Sequence, residues 1–132
     1  MNKSGHKLIH GNNETILLVD DDQSIVEITS EILKSLNYTV LTASNGREAI
    51  EVCKQQNNID LYLLDVVMPV MGGVEFAEHL LSQNSQAKII FHSGSDRENQ
   101  LNLFMLHFEV PLLNKPCSIA LLSQTIRDTL DH

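Results

Sequence analysis

Four short, mostly apolar runs constrain this chain most, because each stops at residues able to do chemistry. Thr15-Ile16-Leu17-Leu18-Val19 stops at Asp20-Asp21-Asp22, and Ile59 to Leu64 stops at Asp65. Lys88-Ile89-Ile90-Phe91 stops at His92-Ser93-Gly94, and Val110 to Leu113 stops at Asn114-Lys115-Pro116. Continuous rather than alternating apolarity is the pattern of a strand covered on both faces, as in a parallel sheet. A further strand-like stretch, Tyr38 to Thr42, falls between the first two runs.

Helical spacing fills the gaps. Ile25, Ile28, Ile32 and Leu36 recur at the period of a helix face, with Asn37 as its stop. Asn45 with Glu48 reads as a capping box that opens a helix through Ala49, Ile50 and Cys53. After the Met68–Gly73 loop, a third helix buries Val74, Ala77, Leu80 and Leu81. Ser95 with Glu98 opens a fourth, unusually apolar one over Leu101, Leu103, Phe104, Met105 and Leu106. The last opens at Ser118 and carries Ile119, Leu122, Ile126 and Leu130 on one face. Five strands alternating with five helices predict an α/β fold, a doubly wound five-stranded parallel sheet with helices on both faces. The 132 residues fit one domain. Residues 1–13 are polar, lack the apolar core of a signal peptide, and read as a flexible tail or linker ahead of a domain at 14–132.

Charge narrows the function classes. Nine basic residues are scattered among seventeen acidic ones, a formal net charge of -8. A duplex-binding surface needs clustered Lys and Arg, so no nucleic-acid binding is expected of this chain. No apolar run approaches the roughly 20 residues of a membrane span. Cys53 and Cys117 have no metal-ligand spacing and read as free thiols, which suits the cytoplasm.

In an open parallel α/β sheet, ligands sit beyond the carboxyl ends of the strands. Asp20, Asp21, Asp65, Ser93 and Lys115 all follow strands and are expected to converge there. At ~4 Å and an effective dielectric near 20, each like-charged pair of carboxylates costs about 4 kcal/mol. A hard divalent cation relieves that repulsion, and Mg²⁺, or Mn²⁺ in its place, suits an all-oxygen donor set. A carboxylate can also be a nucleophile toward phosphorus, with a lysine and a hydroxyl to neutralise and bond the phosphoryl oxygens. Other residues read more plainly. Asp22 suits a helix cap, Met68 and Met71 suit loop packing, and His79, His92 and His107 read as surface or partly packed.

The segments Ile-Leu-Leu-Val-Asp20-Asp21-Asp22, Leu-Leu-Asp65-Val-Val-Met-Pro69-Val-Met-Gly72-Gly, Phe-His-Ser93-Gly94 and Leu-Asn-Lys115-Pro116 together resemble the receiver (response-regulator) domain of two-component signalling, from about Thr15 to the C-terminus. The resemblance implies the flavodoxin-like strand order 2-1-3-4-5. It implies Asp65 as the phosphoacceptor, and Asp20 and Asp21 as metal ligands alongside Asp65 and the backbone carbonyl of Val67. Ser93 becomes the switch hydroxyl and Lys115 the paired lysine. A histidine kinase or phosphotransfer protein becomes the phosphodonor, in a phosphorelay that includes the hybrid sensor kinase type of parent chain. The apolar helix after Ser95 adds a candidate homodimer surface with the fifth strand and fifth helix. Two other readings compete: a phosphatase using Asp-x-Asp within Asp20–Asp22, and a pseudo-receiver that only binds. The chain departs from many receivers at Leu112, three residues before Lys115, where an aromatic switch residue is common; Leu112 is expected to pack against the fourth helix.

Overall fold

The computed structural model describes residues 8–66, 68–94 and 110–132. Its strands are β1 (Thr15–Val19), β2 (Thr39–Ala43), β3 (Leu61–Asp65), β4 (Ile89–Ser93) and β5 (Leu112–Asn114). They form one parallel sheet in the order β2-β1-β3-β4-β5. The helices are α1 (Gln23–Ser35), α2 (Gly46–Gln55), α3 (Gly73–Gln83) and α4 (Ile119–Leu130). The helix and apolar run expected over Ser95 to Phe108 lie outside the described residues, as does Val67. Among the described residues, no helix is long and apolar enough to cross a membrane.

The pleat divides the strand side chains between two cores. Leu17, Val19, Tyr62, Leu64, Ile89 and Phe91 face α2 and α3, against Ala49, Phe76, Ala77 and Leu80. Ile16, Leu18, Leu61, Leu63, Ile90 and Leu113 face α1 and α4, against Val26, Leu33, Leu122 and Ile126. Each fully buried Leu, Ile or Phe stabilises by about 1.5–3 kcal/mol relative to exposure, so the double covering fixes both strand register and helix placement.

Local signals place the helix starts. Asp22 caps α1, its Oδ1 accepting from the Ser24 and Ile25 amides. Asn45 caps α2 by accepting from Glu48 N–H, while Glu48 reaches one residue past the cap to the Ser44 N–H, a variant of the expected capping box. Ser118 caps α4.

Three expectations are corrected. On α1, Leu36 is buried and Ile32 packs against the same core as expected, but Ile28 is 59% exposed, and Val26, Thr29, Ser30 and Leu33 complete the buried face. Ile119 is 42% exposed at the first turn of α4. Leu112 alternates with the core residue Leu113 and stands 38% exposed, and the fourth helix expected against it lies outside the described residues. His92 is neither surface nor half-packed; it is buried.

Leu8–Asn13 runs along the domain. Gly11 donates to the Leu36 carbonyl and Asn13 to that of Asn37, and the Asn37 side chain donates back to Gly11 O. A Cβ on Gly11 would fall 2.2 Å from the Tyr38 ring, so only glycine permits that approach. At the sheet's far edge β5 is three residues long, with Pro111 ahead of it and Pro116 soon after.

Candidate acidic site at the strand ends

The strand order brings the ends of β1 and β3 side by side at the centre of the sheet, with β4 and β5 beyond. Asp20 follows β1, Asp65 closes β3, Ser93 closes β4, and Lys115 follows β5. Carboxylate oxygens of Asp20, Asp21 and Asp65 lie within 4.8 Å of one another. Asp20 is buried, Asp65 is half-buried and Asp21 is exposed, so the cluster opens to solvent on one side.

Lys115 ties the cluster to the sheet. Its Nζ donates to Asp20 Oδ2 at 2.5 Å and stands 3.3 Å from Asp65 Oδ1. Its backbone N–H donates to the Ser93 carbonyl at 2.8 Å, which sets the end of β5 against the end of β4. The remaining Asp20 oxygen accepts from the Asp22 amide at 2.9 Å, and Asp65 Oδ1 accepts from the Val66 amide at 3.0 Å.

Three carboxylates and one ammonium leave an excess of negative charge, and the titrations respond. Burial, then the charge of Asp20, push the Asp65 carboxyl up to about 6, against the pull of Lys115. Burial drags the Lys115 ammonium down, but the Asp20 hydrogen bond and the charges of Asp65 and Asp20 outweigh it and hold the lysine above its ordinary value. All-oxygen donors, excess negative charge and one open side suit a hard divalent cation.

The loop after Asp65 is braced by glycines. A Cβ on Gly73 would lie 1.9 Å from the Asp65 carbonyl oxygen, and Gly73 N–H donates to Val66 O. Gly46, at the start of α2, donates to the Met71 carbonyl at 2.8 Å, and the Met71 side chain lies over it. Between these braces Val70 has φ 70, and Met71 N–H donates to Pro69 O at 2.7 Å, a γ-turn of the rare kind centred on a β-branched residue.

Sequence reasoning found Asp20, Asp21, Asp65, Ser93 and Lys115, and the fold gathers them at one edge. Val67 lies outside the described residues. Two residues were missed. Val70 gave no signal, since its turn depends on the glycine braces. His92 could have been flagged, because a histidine inside an otherwise apolar strand is placed by the pleat among core residues.

A family model described as "Response regulator receiver domain" matches residues 16–127. The chain is 35% identical over 95 residues to the autoinducer 1 sensor kinase/phosphatase LuxN of Vibrio campbellii. That stretch is 72% of this chain but 11% of LuxN, so the chain spans only a small part of that relative. A CheY-like receiver domain protein from Methanospirillum hungatei superposes with a TM-score of 0.81 at 27% identity, over 91% of this chain and 95% of that one. The response regulator TrrA of Thermotoga maritima, solved in complex with Mg²⁺-BeF, superposes with a TM-score of 0.79 at 28% identity, over 88% of this chain and 98% of its own.

Proposed function

Because the chain belongs to the response regulator receiver domain family of two-component signalling, we propose that it is a phosphoacceptor switch that takes a phosphoryl group on Asp65. The observation that carries the reading is the convergence of Asp20, Asp21, Asp65 and Lys115. The donor is a histidine kinase or a phosphotransfer protein. An Asp65 carboxylate oxygen forms a bond to phosphorus as the phosphorus–nitrogen bond of a phosphohistidine breaks, and the leaving imidazole takes up a proton. With its pKa near 6, Asp65 is ionised at neutral pH and is a more basic nucleophile than an ordinary aspartate.

Lys115 supplies positive charge within reach of Asp65, where the phosphoryl oxygens arrive. Ser93, closing the neighbouring strand, is the hydroxyl that bonds one of those oxygens and reports the phosphate to the segment after it. Asp20, Asp21 and Asp65, with the Val67 carbonyl, would hold Mg²⁺ or Mn²⁺, which when bound offsets charge on the phosphoryl group. The TrrA neighbour was solved with Mg²⁺-BeF, and the donor set here is of the same hard-oxygen kind.

The same reading takes 14–132 as the receiver domain and places it in the cytoplasm, in keeping with the free thiols of Cys53 and Cys117. A homodimer through the fourth expected helix, β5 and α4 belongs to it too, supported by the exposed Leu112 and Leu121. A phosphatase of the Asp-x-Asp type is disfavoured, because Asp22 is engaged as the α1 cap. Intact-mass analysis after incubation with acetyl phosphate and Mg²⁺ tests the assignment. Wild type should gain one phosphoryl mass and Asp65→Asn none; equal uptake by both would refute it.

A further inference from the structure

We propose that Leu8–Glu14 is a clasp: it closes over Tyr38, is caught on α4 by the Glu14 carboxylate, and opens as a unit while the rest of the domain stays folded. Backbone bonds hold it at one side. Gly11 N–H donates to Leu36 O, Asn13 N–H to Asn37 O, and Thr39 N–H to Glu14 O. The Asn37 side chain adds a bond to Gly11 O. The segment is thus fastened to the corner between α1 and β2. Asn13 and Asn37 turn the chain there at φ 65 and 73, a conformation that asparagine adopts more readily than most residues.

Side chains make the other attachment, to α4. Glu14 Oε1 accepts from the Asn12 N–H at 2.6 Å, and Glu14 Oε2 accepts from Arg127 Nη2 at 2.8 Å. One carboxylate therefore joins the backbone of the clasp to the last helix. Arg127 Nη2 also donates to Asp131 Oδ1 at 2.8 Å, which steadies the guanidinium. One turn earlier on the same face of α4 is Ser123, which is fully buried. Its hydroxyl donates to Ala120 O and accepts from the Ile9 N–H across a long 3.4 Å.

What lies beneath favours lifting. Tyr38 is 4% exposed, with Gly11 against the part of its ring nearest the hydroxyl. That hydroxyl is buried and has no hydrogen-bond partner. An unpaired buried hydroxyl destabilises the closed state, and the loss is recovered once water reaches it. The clasp itself buries little apolar surface. Leu8 is exposed, Ile9 is half-buried, and the rest is polar or glycine. Hydrogen bonds with little apolar burial mark the segments that open locally, ahead of global unfolding. The core behind Tyr38 is made by Leu33, Leu36 and the strands, so it persists when the clasp lifts. Opening frees α4 from the α1–β2 corner.

The chain's two tyrosines give the test an internal control. Tyr62 is also buried, at 8%, but in the core facing α2 and α3. Nitration with tetranitromethane, mapped by mass spectrometry on the full chain, compares wild type with Glu14→Ala, Gly11→Ala and Glu48→Ala. Glu14→Ala removes the catch, and Gly11→Ala drives a methyl into the Tyr38 ring. Both should nitrate Tyr38 several-fold faster than wild type, with Tyr62 unchanged. Glu48→Ala removes a carboxylate from the α2 start; it should lower the melting temperature without speeding Tyr38. Amide exchange should rise at Gly11 and Asn13 in the two clasp variants and stay at the wild-type rate at Leu17 and Leu63. Wild-type nitration of Tyr38 in both clasp variants overturns the proposal. So does Tyr62 reacting in step with Tyr38, or Glu48→Ala speeding Tyr38 equally, since either means that the domain opens as a whole.

Discussion

Replacing Asp65 by Asn should make the metal-free protein more stable at pH 8 and leave it unchanged near pH 4. Asn keeps an oxygen for the Val66 amide, which donates to Asp65 Oδ1 at 3.0 Å, and removes only the ionisation. In the fold, the Asp65 carboxyl is moved from 3.8 to about 6 by burial first and then by Asp20. Between those values the native state binds a proton that the unfolded chain has released, so stability falls as pH rises. The contribution is full below the unfolded pKa and is lost as pH passes the folded one. About two pH units at ~1.4 kcal/mol each gives a penalty of roughly 3 kcal/mol above pH 7. The figure already contains the attraction of Lys115, which opposes the shift, and the side chain is only 12% exposed, so solvent screening removes little of it. Urea unfolding from pH 4 to pH 8 in the presence of a chelator measures the difference. The gap between variant and wild type should open across pH 4 to 6 and then stay level. A constant gap, or a variant less stable at pH 8, would refute the reasoning that a desolvated carboxylate beside Asp20 is held there under electrostatic stress.

Val70→Gly should stabilise by about 1 kcal/mol, because a strained positive-φ residue costs of order 1–3 kcal/mol and glycine's extra unfolded freedom returns part of it. Val70 is 75% exposed, so no burial is lost; chemical denaturation showing Val70→Gly no more stable than Val70→Ala would remove the strain. Gly73→Ala should cost ~3 kcal/mol or more, since its Cβ would sit 1.9 Å from the Asp65 carbonyl oxygen; a loss below 1 kcal/mol in urea would mean the loop yields easily. Saturating Mg²⁺ should raise the melting temperature of wild type, by the equivalent of ~2.7 kcal/mol at a hundredfold excess over Kd. Asp21→Ala should lose most of that rise, and a wild type indifferent to Mg²⁺ in calorimetry would contradict the cation site.

Strand existence was legible because a strand covered on both faces has to be apolar throughout, and Ile16 to Val19 and Leu61 to Leu64 are. Helix starts were legible for a local reason too, with Asn45 accepting from the Glu48 amide and the Glu48 side chain turning back to Ser44 in the structure. Strand order was not read from the residues themselves; it came from the resemblance. The α1 face was legible in part: Leu36 and Ile32 meet the core, but the repeat of isoleucines also drew in the exposed Ile28 and hid the buried Thr29 and Ser30, whose polar side chains gave no core signal. The carboxylates and Lys115 stood out because each follows a strand. Val70 did not, since nothing in Met-Pro-Val-Met announces a γ-turn fixed by Gly46 and Gly73. Gly11 likewise looked like part of a loose leader, although its missing side chain lets the backbone lie on Tyr38.

The three-residue β5 has a consequence for colloidal behaviour. Its inward bonds run from Phe91 N–H to Pro111 O and from Lys115 N–H to Ser93 O, which leaves Leu112 and Asn114 to turn their amides outward. Proline has no N–H, so Pro116 ends that row almost as soon as it starts. A foreign strand approaching this margin finds two donors, too short a template for the edge-to-edge addition that seeds fibrils. The margin is therefore self-terminating as a template for the addition of further strands.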